Sequence, residues 1–282
     1  MRLATALKLG RVSNLPTVSS NVLAAIALAG GRAPVVTIVL ACVAMSAMYV
    51  AGMFLNDAFD RDIDRVERPE RPIPSGEIDA ASVFGAGFAL LVGGILVVAI
   101  AAAASGSGLS PIGSAVALAA LIVFYDAYHK QNPWSPLVMG LCRAAVYTTA
   151  ALLVRDDLCR EVVVGAALLL AYLIGLTFVA RQENLMKLTS AWPLAFLAAP
   201  FVLARPVGLL ALVTYVAFGA WVVHALGNVQ RRQIRAAVTG LIAGISLLDA
   251  LMCANAGRDG LALAALAAWA LTTLFQRAVP GT

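Results

Sequence analysis

Ten stretches of this chain, 15 to 26 residues long, are almost free of charge: 15–31, 35–56, 79–104, 111–128, 134–154, 162–180, 190–204, 207–226, 236–254 and 260–276. A helix needs about 20 apolar residues to cross the hydrocarbon core, and in lipid every backbone polar group must be satisfied within the protein. The pattern therefore predicts an all-α, polytopic transmembrane helical bundle, with residues 1–282 forming a single membrane domain. The run 190–204 is short and holds Pro193 and Pro200, so it is expected to be kinked, tilted or shielded by its neighbours. The apolar stretch after the basic start lacks a convincing small-residue cleavage site, so the first run is expected to stay in place as a span.

Composition excludes the alternatives. Hydrophobic residues make up 61% of the chain and charged residues 12%, too few charges to cover a soluble surface or keep a chain disordered. The net charge of +5 is read as membrane topology rather than nucleic-acid binding, because Lys and Arg gather between the apolar runs. With the N-terminus in the cytoplasm, fourteen Lys and Arg fall inside and five outside, Arg143 lying within a run. That bias predicts cytoplasmic termini and a site at the cytoplasmic face. The four cysteines form no CxxC pair and suit no zinc site.

Polar chemistry concentrates in one place. Eight of the fifteen acidic residues lie between positions 57 and 79, beginning Asn56-Asp57-Ala58-Phe59-Asp60-Arg61-Asp62-Ile63-Asp64. If the helix of the second run continues through this stretch, Asp57, Asp60 and Asp64 share an arc of roughly 60°, Asn56 borders it and Asp62 points away. Three carboxylates on one face repel each other unless a cation sits among them. Oxygen donors in that number suit Mg²⁺, which keeps few protein ligands and shares substrate phosphates. A Mg²⁺–diphosphate complex is the expected occupant. Pro69, Pro72 and Pro74 then end the helix and stiffen a loop in which Arg68 and Arg71 are placed to reach phosphate oxygens.

Other polar residues interrupt the runs. Asn14 and Asn21, seven apart, share a helical face, with Asn21 the expected cavity residue. Asp249 is expected to face the bundle interior, either pairing with Arg143 or hydrogen-bonded to a neighbouring helix. Arg143 is expected either to meet the diphosphate or to snorkel. Asp126 reads as a loop carboxylate.

The segment N56-D57-x-x-D60-x-x-x-D64 followed by R68-P-x-R71-P-x-P-S-G resembles the first signature of the UbiA superfamily of intramembrane prenyltransferases. Tyr125 and Lys130 resemble the Tyr and Lys that the family carries at the end of its fourth span, and Arg143 falls where the family tends to keep an Arg. The resemblance implies nine spans around a central cavity, against the ten runs counted, and a polyprenyl diphosphate donor held by Mg²⁺. It implies transfer of the prenyl chain to a small aromatic or lipid-like acceptor in the bilayer, in a bacterial inner membrane. Asp57, Asp60, Asp64, Tyr125 and Lys130 would be catalytic; Asn21, Asn56, Arg68, Arg71, Arg143 and Arg181 would bind substrate.

One departure stands out. The family's second motif is acidic, whereas the matching stretch here reads F178-V-A-R181-Q182-E183-N184-L-M-K187. Glu183 is then the remaining acidic metal ligand beside Asn56, Asp57, Asp60 and Asp64, with Arg181 as a fixed cation. The stretches 175–184 and 240–251 resemble a divergent UbiA-like branch of the EboC type. Two functions stay open: a Mg²⁺-dependent prenyltransferase, or a non-catalytic relative that binds or moves a prenylated or lipid-like metabolite.

Overall fold

The computed structural model describes residues 2–31, 33–130, 132–181, 194–279 and 281. The described residues form helices α1 (Leu3–Leu9), α2 (Leu15–Ala29), α3 (Val35–Phe59), α4 (Arg61–Glu67), α5 (Ala80–Ser105), α6 (Ser110–Tyr128), α7 (Ser135–Leu152), α8 (Arg160–Arg181), α9 (Ala195–Leu203), α10 (Leu209–Gln230), α11 (Ile234–Asn255) and α12 (Asp259–Phe275), with a 3-10 turn at Val12–Asn14. The all-α bundle expected from the apolar runs is what forms.

Local signals explain the boundaries. Proline opens the first turn of α2, α6 and α7, where its missing N–H has no intrahelical partner to lose. Asp79 caps α5 by accepting from the Ser82 N–H at 2.8 Å. Gly30 and Gly106 end α2 and α5 with positive φ.

Seven segments among the described residues are long and apolar enough to cross a bilayer: Val12–Ala29, α3, α5, α6, α8, α10 and α11. This is fewer than the nine to ten spans expected. Helices α9 and α12 are shorter, at 9 and 17 residues. Helix α7 has 18 residues, but its apolar sequence is interrupted by Arg143, Tyr147, Thr148 and Thr149. Those groups turn inward onto other helices.

Helices α2 and α11 form the centre. They are 72% and 78% buried, pack on one another, and α2 also touches α3, α7, α8 and α12. Lipid gives helices no hydrophobic reason to associate, so close approach of small residues carries the packing. Buried positions are accordingly rich in Ala and Ser on α2, and in Ala, Ser and Gly on α11. At Gly244 an added Cβ would lie 2.5 Å from the Tyr172 hydroxyl and 3.2 Å from the Trp221 ring, which leaves room for glycine alone. Tyr172 uses that hydroxyl to donate to the Leu241 carbonyl at 2.8 Å.

The outer helices face outward with apolar side chains. On α5, Val92, Leu96 and Ile100 recur every four residues and are each more than half exposed, a stripe suited to lipid tails. Between the centre and the outer helices, α2, α3, α6, α7, α8 and α11 enclose a cavity of about 360 Å³.

Candidate functional site

The cavity has two kinds of wall. Its floor is apolar, with Met45, Met48, Leu118, Met139, Leu173 and Ile242 from five different helices. Its mouth is charged, with Asp60, Asp64, Arg68, Arg71, Lys130 and Arg181. An amphiphile with a charged head and an apolar body matches this division.

The α3–α4 junction builds one side of the mouth. Asp60 separates the two helices, yet its N–H bonds to the Asn56 carbonyl and its carbonyl accepts from the Asp64 N–H. The helical path is nearly continuous, and Asp57, Asp60 and Asp64 are 7%, 5% and 2% exposed. Asp62 lies on the opposite, solvent side beside Arg61 and Arg65.

Each of these three buried carboxylates has a cationic partner within the chain. Asp57 takes Arg11 at 3.3 Å and Arg71 at 3.2 Å, and Asp64 takes Arg71 at 2.7 Å. Asp60 Oδ2 lies 3.4 Å from both His129 Nε2 and Lys130 Nζ. Burial alone would raise the Asp60 carboxyl, but His129 and Lys130 outweigh it and hold it below its ordinary value. Burial would lower Arg71, but Asp57 and Asp64 outweigh it and raise the guanidinium. Arg71, expected as a phosphate arm, is therefore engaged inside the carboxylate cluster, because desolvated acids need a charge partner. Arg68 lines the cavity.

The end of α6 forms the facing side. Tyr125 stacks on His129 with ring centroids 4.9 Å apart, and both line the cavity. Asp126 corrects its loop assignment: it lies within α6, is 3% exposed, and accepts from Asn56 Nδ2 at 3.2 Å. Its side chain meets Asn56 of α3, a contact between helices that a stretch read as loop does not reveal.

Deeper in, Arg143 turns to the interior instead of snorkelling. It donates to Asn21 Oδ1 at 2.8 Å and Thr17 Oγ1 at 3.2 Å, and its guanidinium lies 5.4 Å from the Tyr49 ring centroid. Asn21 is not a cavity residue: it is fully buried and its amide donates to Asp249 at 2.8 Å. Asn14 lines the cavity in its place, donating to Tyr49 at 3.2 Å. The two asparagines share a face, but the deeper one lies at the α2–α11 contact. Asp249 also accepts from Ser20 and Tyr147, each at 2.5 Å, so it is hydrogen-bonded to neighbouring helices and linked to Arg143 through Asn21.

Arg181 lines the cavity at the end of α8; Glu183 lies outside the described residues. Sequence reasoning missed Arg11 and His129. The i, i+4 spacing of Tyr125 and His129 was the available signal for the second. Among the described residues no three His, Cys, Asp or Glu side chains are already gathered as a metal-ligand set. The donors at the mouth are nevertheless all oxygens, Asn56 with Asp57, Asp60 and Asp64, and that chemistry fits a hard divalent cation.

Fold and site define a class: polytopic helical membrane proteins whose apolar chamber opens at a mouth of facing acids and bases. Within that class the chain belongs to the UbiA prenyltransferase family, whose sequence model matches residues 18–279. A digeranylgeranylglyceryl phosphate synthase of Ignicoccus hospitalis is 34% identical over 160 residues, 56% of this chain and 48% of that protein. One of Methanopyrus kandleri is 39% identical over 90 residues, 31% and 33% of the two chains. The chain thus spans half or less of the length of these curated relatives. Among solved structures, one described as a digeranylgeranylglyceryl phosphate synthase in membranes superposes with a TM-score of 0.60 at 17% identity, covering 94% of this chain and 99% of that one. The apo structure of a UbiA homolog from Aeropyrum pernix superposes at 0.54 and 15% identity, covering 97% of each. These two likenesses concern the fold.

Proposed function

We propose that this protein transfers a prenyl group from a polyprenyl diphosphate to a small lipid-like or aromatic acceptor, releasing diphosphate, at the cytoplasmic face of a plasma membrane. The observation that carries the reading is a single cavity joining buried carboxylates and basic side chains to an apolar floor. Asn56, Asp57, Asp60 and Asp64 would hold Mg²⁺, with Glu183 as the acidic candidate of the other motif. Bound Mg²⁺ supplies charge stabilisation to the leaving diphosphate.

The chain's own residues do the rest. Arg68, Lys130 and Arg181 donate to diphosphate oxygens as the allylic C–O bond breaks and its electron pair leaves with the diphosphate. The aromatic faces of Tyr125 and Tyr49 stabilise the electron-poor carbon that remains. The apolar floor holds the prenyl chain and excludes the water that would quench that carbon. The acceptor then forms the new bond and gives up a proton. The relatives' shared name, a synthase of a diprenylated glyceryl phosphate, favours a lipid-like acceptor over a free aromatic ring.

A second reading is a non-catalytic lipid-binding relative. It is favoured by the in-chain pairing of every carboxylate in the cluster and by the single acid in 181–187. Diphosphate release separates the two readings: detergent-purified protein is given farnesyl or geranylgeranyl diphosphate, Mg²⁺ and a panel of acceptors. Release that requires an acceptor supports transfer. Absence of release with every pair, while Asp57-dependent binding of the donor persists, supports the binding protein.

A further inference from the structure

We propose that Asp126 is a metal ligand, supplying from α6 the second carboxylate that the 181–187 segment, with Glu183 alone, lacks. The inference rests on reading the mouth as a Mg²⁺–diphosphate site. A carboxyl group 3% exposed inside an apolar bundle carries its charge only where both oxygens have partners, since an unpaired buried charge costs several kcal/mol. Asp126 has a partner for one. Asn56 donates to Oδ1 at 3.2 Å, while Oδ2 is buried and accepts nothing.

The other buried side-chain atoms left without a partner among the described residues are two hydroxyls and an indole N–H. None of these is a strong cation ligand, so Asp126 is the one whose chemistry points to a metal. The nearby cations do not serve it: Arg11 and Arg71 go to Asp57 and Asp64, and His129 and Lys130 go to Asp60.

Position supports the same conclusion. Asp126 lines the cavity with Asp60, from α6, which packs against α3 beside the α3–α4 junction. A cation shared with diphosphate needs only one or two carboxylates from the protein, and here α6 adds Asp126 to the acids of α3 and α4. Asn56 joins the two, being the neighbour of Asp57 in sequence and the hydrogen-bond donor to Asp126.

The test measures Mn²⁺ bound to the full chain in nanodiscs with inorganic pyrophosphate, by electron paramagnetic resonance and calorimetry. Asp126→Asn and Asp60→Asn are each expected to weaken Mn²⁺ binding by about tenfold or more, since even residues that only orient metal ligands are worth about 10–100-fold in affinity. Helical circular dichroism checks that the variant is folded. Asp126→Glu keeps the charge and displaces the oxygens, so it is expected to alter the bound-Mn²⁺ spectrum, and it serves if Asp126→Asn does not fold. Wild-type affinity in Asp126→Asn, or an unchanged spectrum in Asp126→Glu, alongside weakened binding in Asp60→Asn overturns the inference and leaves the metal–diphosphate reading standing. Wild-type protein that binds no Mn²⁺ with pyrophosphate overturns both.

Discussion

Asp60 and Asp62, two residues apart, separate a buried carboxylate from a solvated one. Asp60 is buried between His129 and Lys130, while Asp62 is exposed beside Arg61 and Arg65. Asp60→Asn is expected to weaken Mg²⁺-dependent binding of a prenyl diphosphate by about tenfold or more, and Asp62→Asn to change it little. Equal losses in a donor-binding titration would remove the helical-face account. Asp60 also has a pH signature. Its folded value is depressed, so its contribution to stability is complete above the unfolded carboxylate value near ~3.9 and is lost as pH falls through the folded value. Thermal midpoints measured against pH should therefore fall less steeply below about pH 4 in Asp60→Asn than in wild type. The periodicity of Asp57, Asp60 and Asp64 was legible because one helix carries all three. Asp126 and the depth of Asn21 were not, because burial by a neighbouring helix leaves no mark on local spacing.

Helices were the most legible level. Each apolar run contains a helix, and the limits of the runs 15–31, 35–56 and 79–104 match those of α2, α3 and α5 within a few residues. What the runs did not convey is how a helix with internal polar groups is used. Helix α7 directs Arg143 and Tyr147 inward, so a span count based on hydropathy passes over it. The central contact predicts a steric limit. Gly244→Ala is expected to push on Tyr172 and Trp221, break the bond to the Leu241 carbonyl and cost about 1–3 kcal/mol. Thermal unfolding in detergent measures it. The exposed apolar position Val92 is the control, where Val92→Ala should cost well under half as much.

At the scale of the molecule, the charge bias across the apolar runs makes a prediction about sidedness. On a cysteine-free background, cysteine at Ser75 should react with an impermeant reagent only from the cytoplasmic side, and cysteine at Asp156 only from outside. Both positions are exposed; Ser107, on the same outside face, is buried against Ser105 and is a poor reporter. The opposite labelling pattern would invert the protein in the bilayer. The polar mouth has a consequence for how it opens. Arg71 belongs to the proline-rich loop, yet it clasps Asp57 and Asp64, two of the acids a cation would take. Loop and cation would be rivals for the same oxygens, and rivalry of this kind is reciprocal. Whatever drew Arg71 away, an incoming phosphate group above all, would make room for a metal, and a metal that arrived first would set the loop free to grip the phosphate.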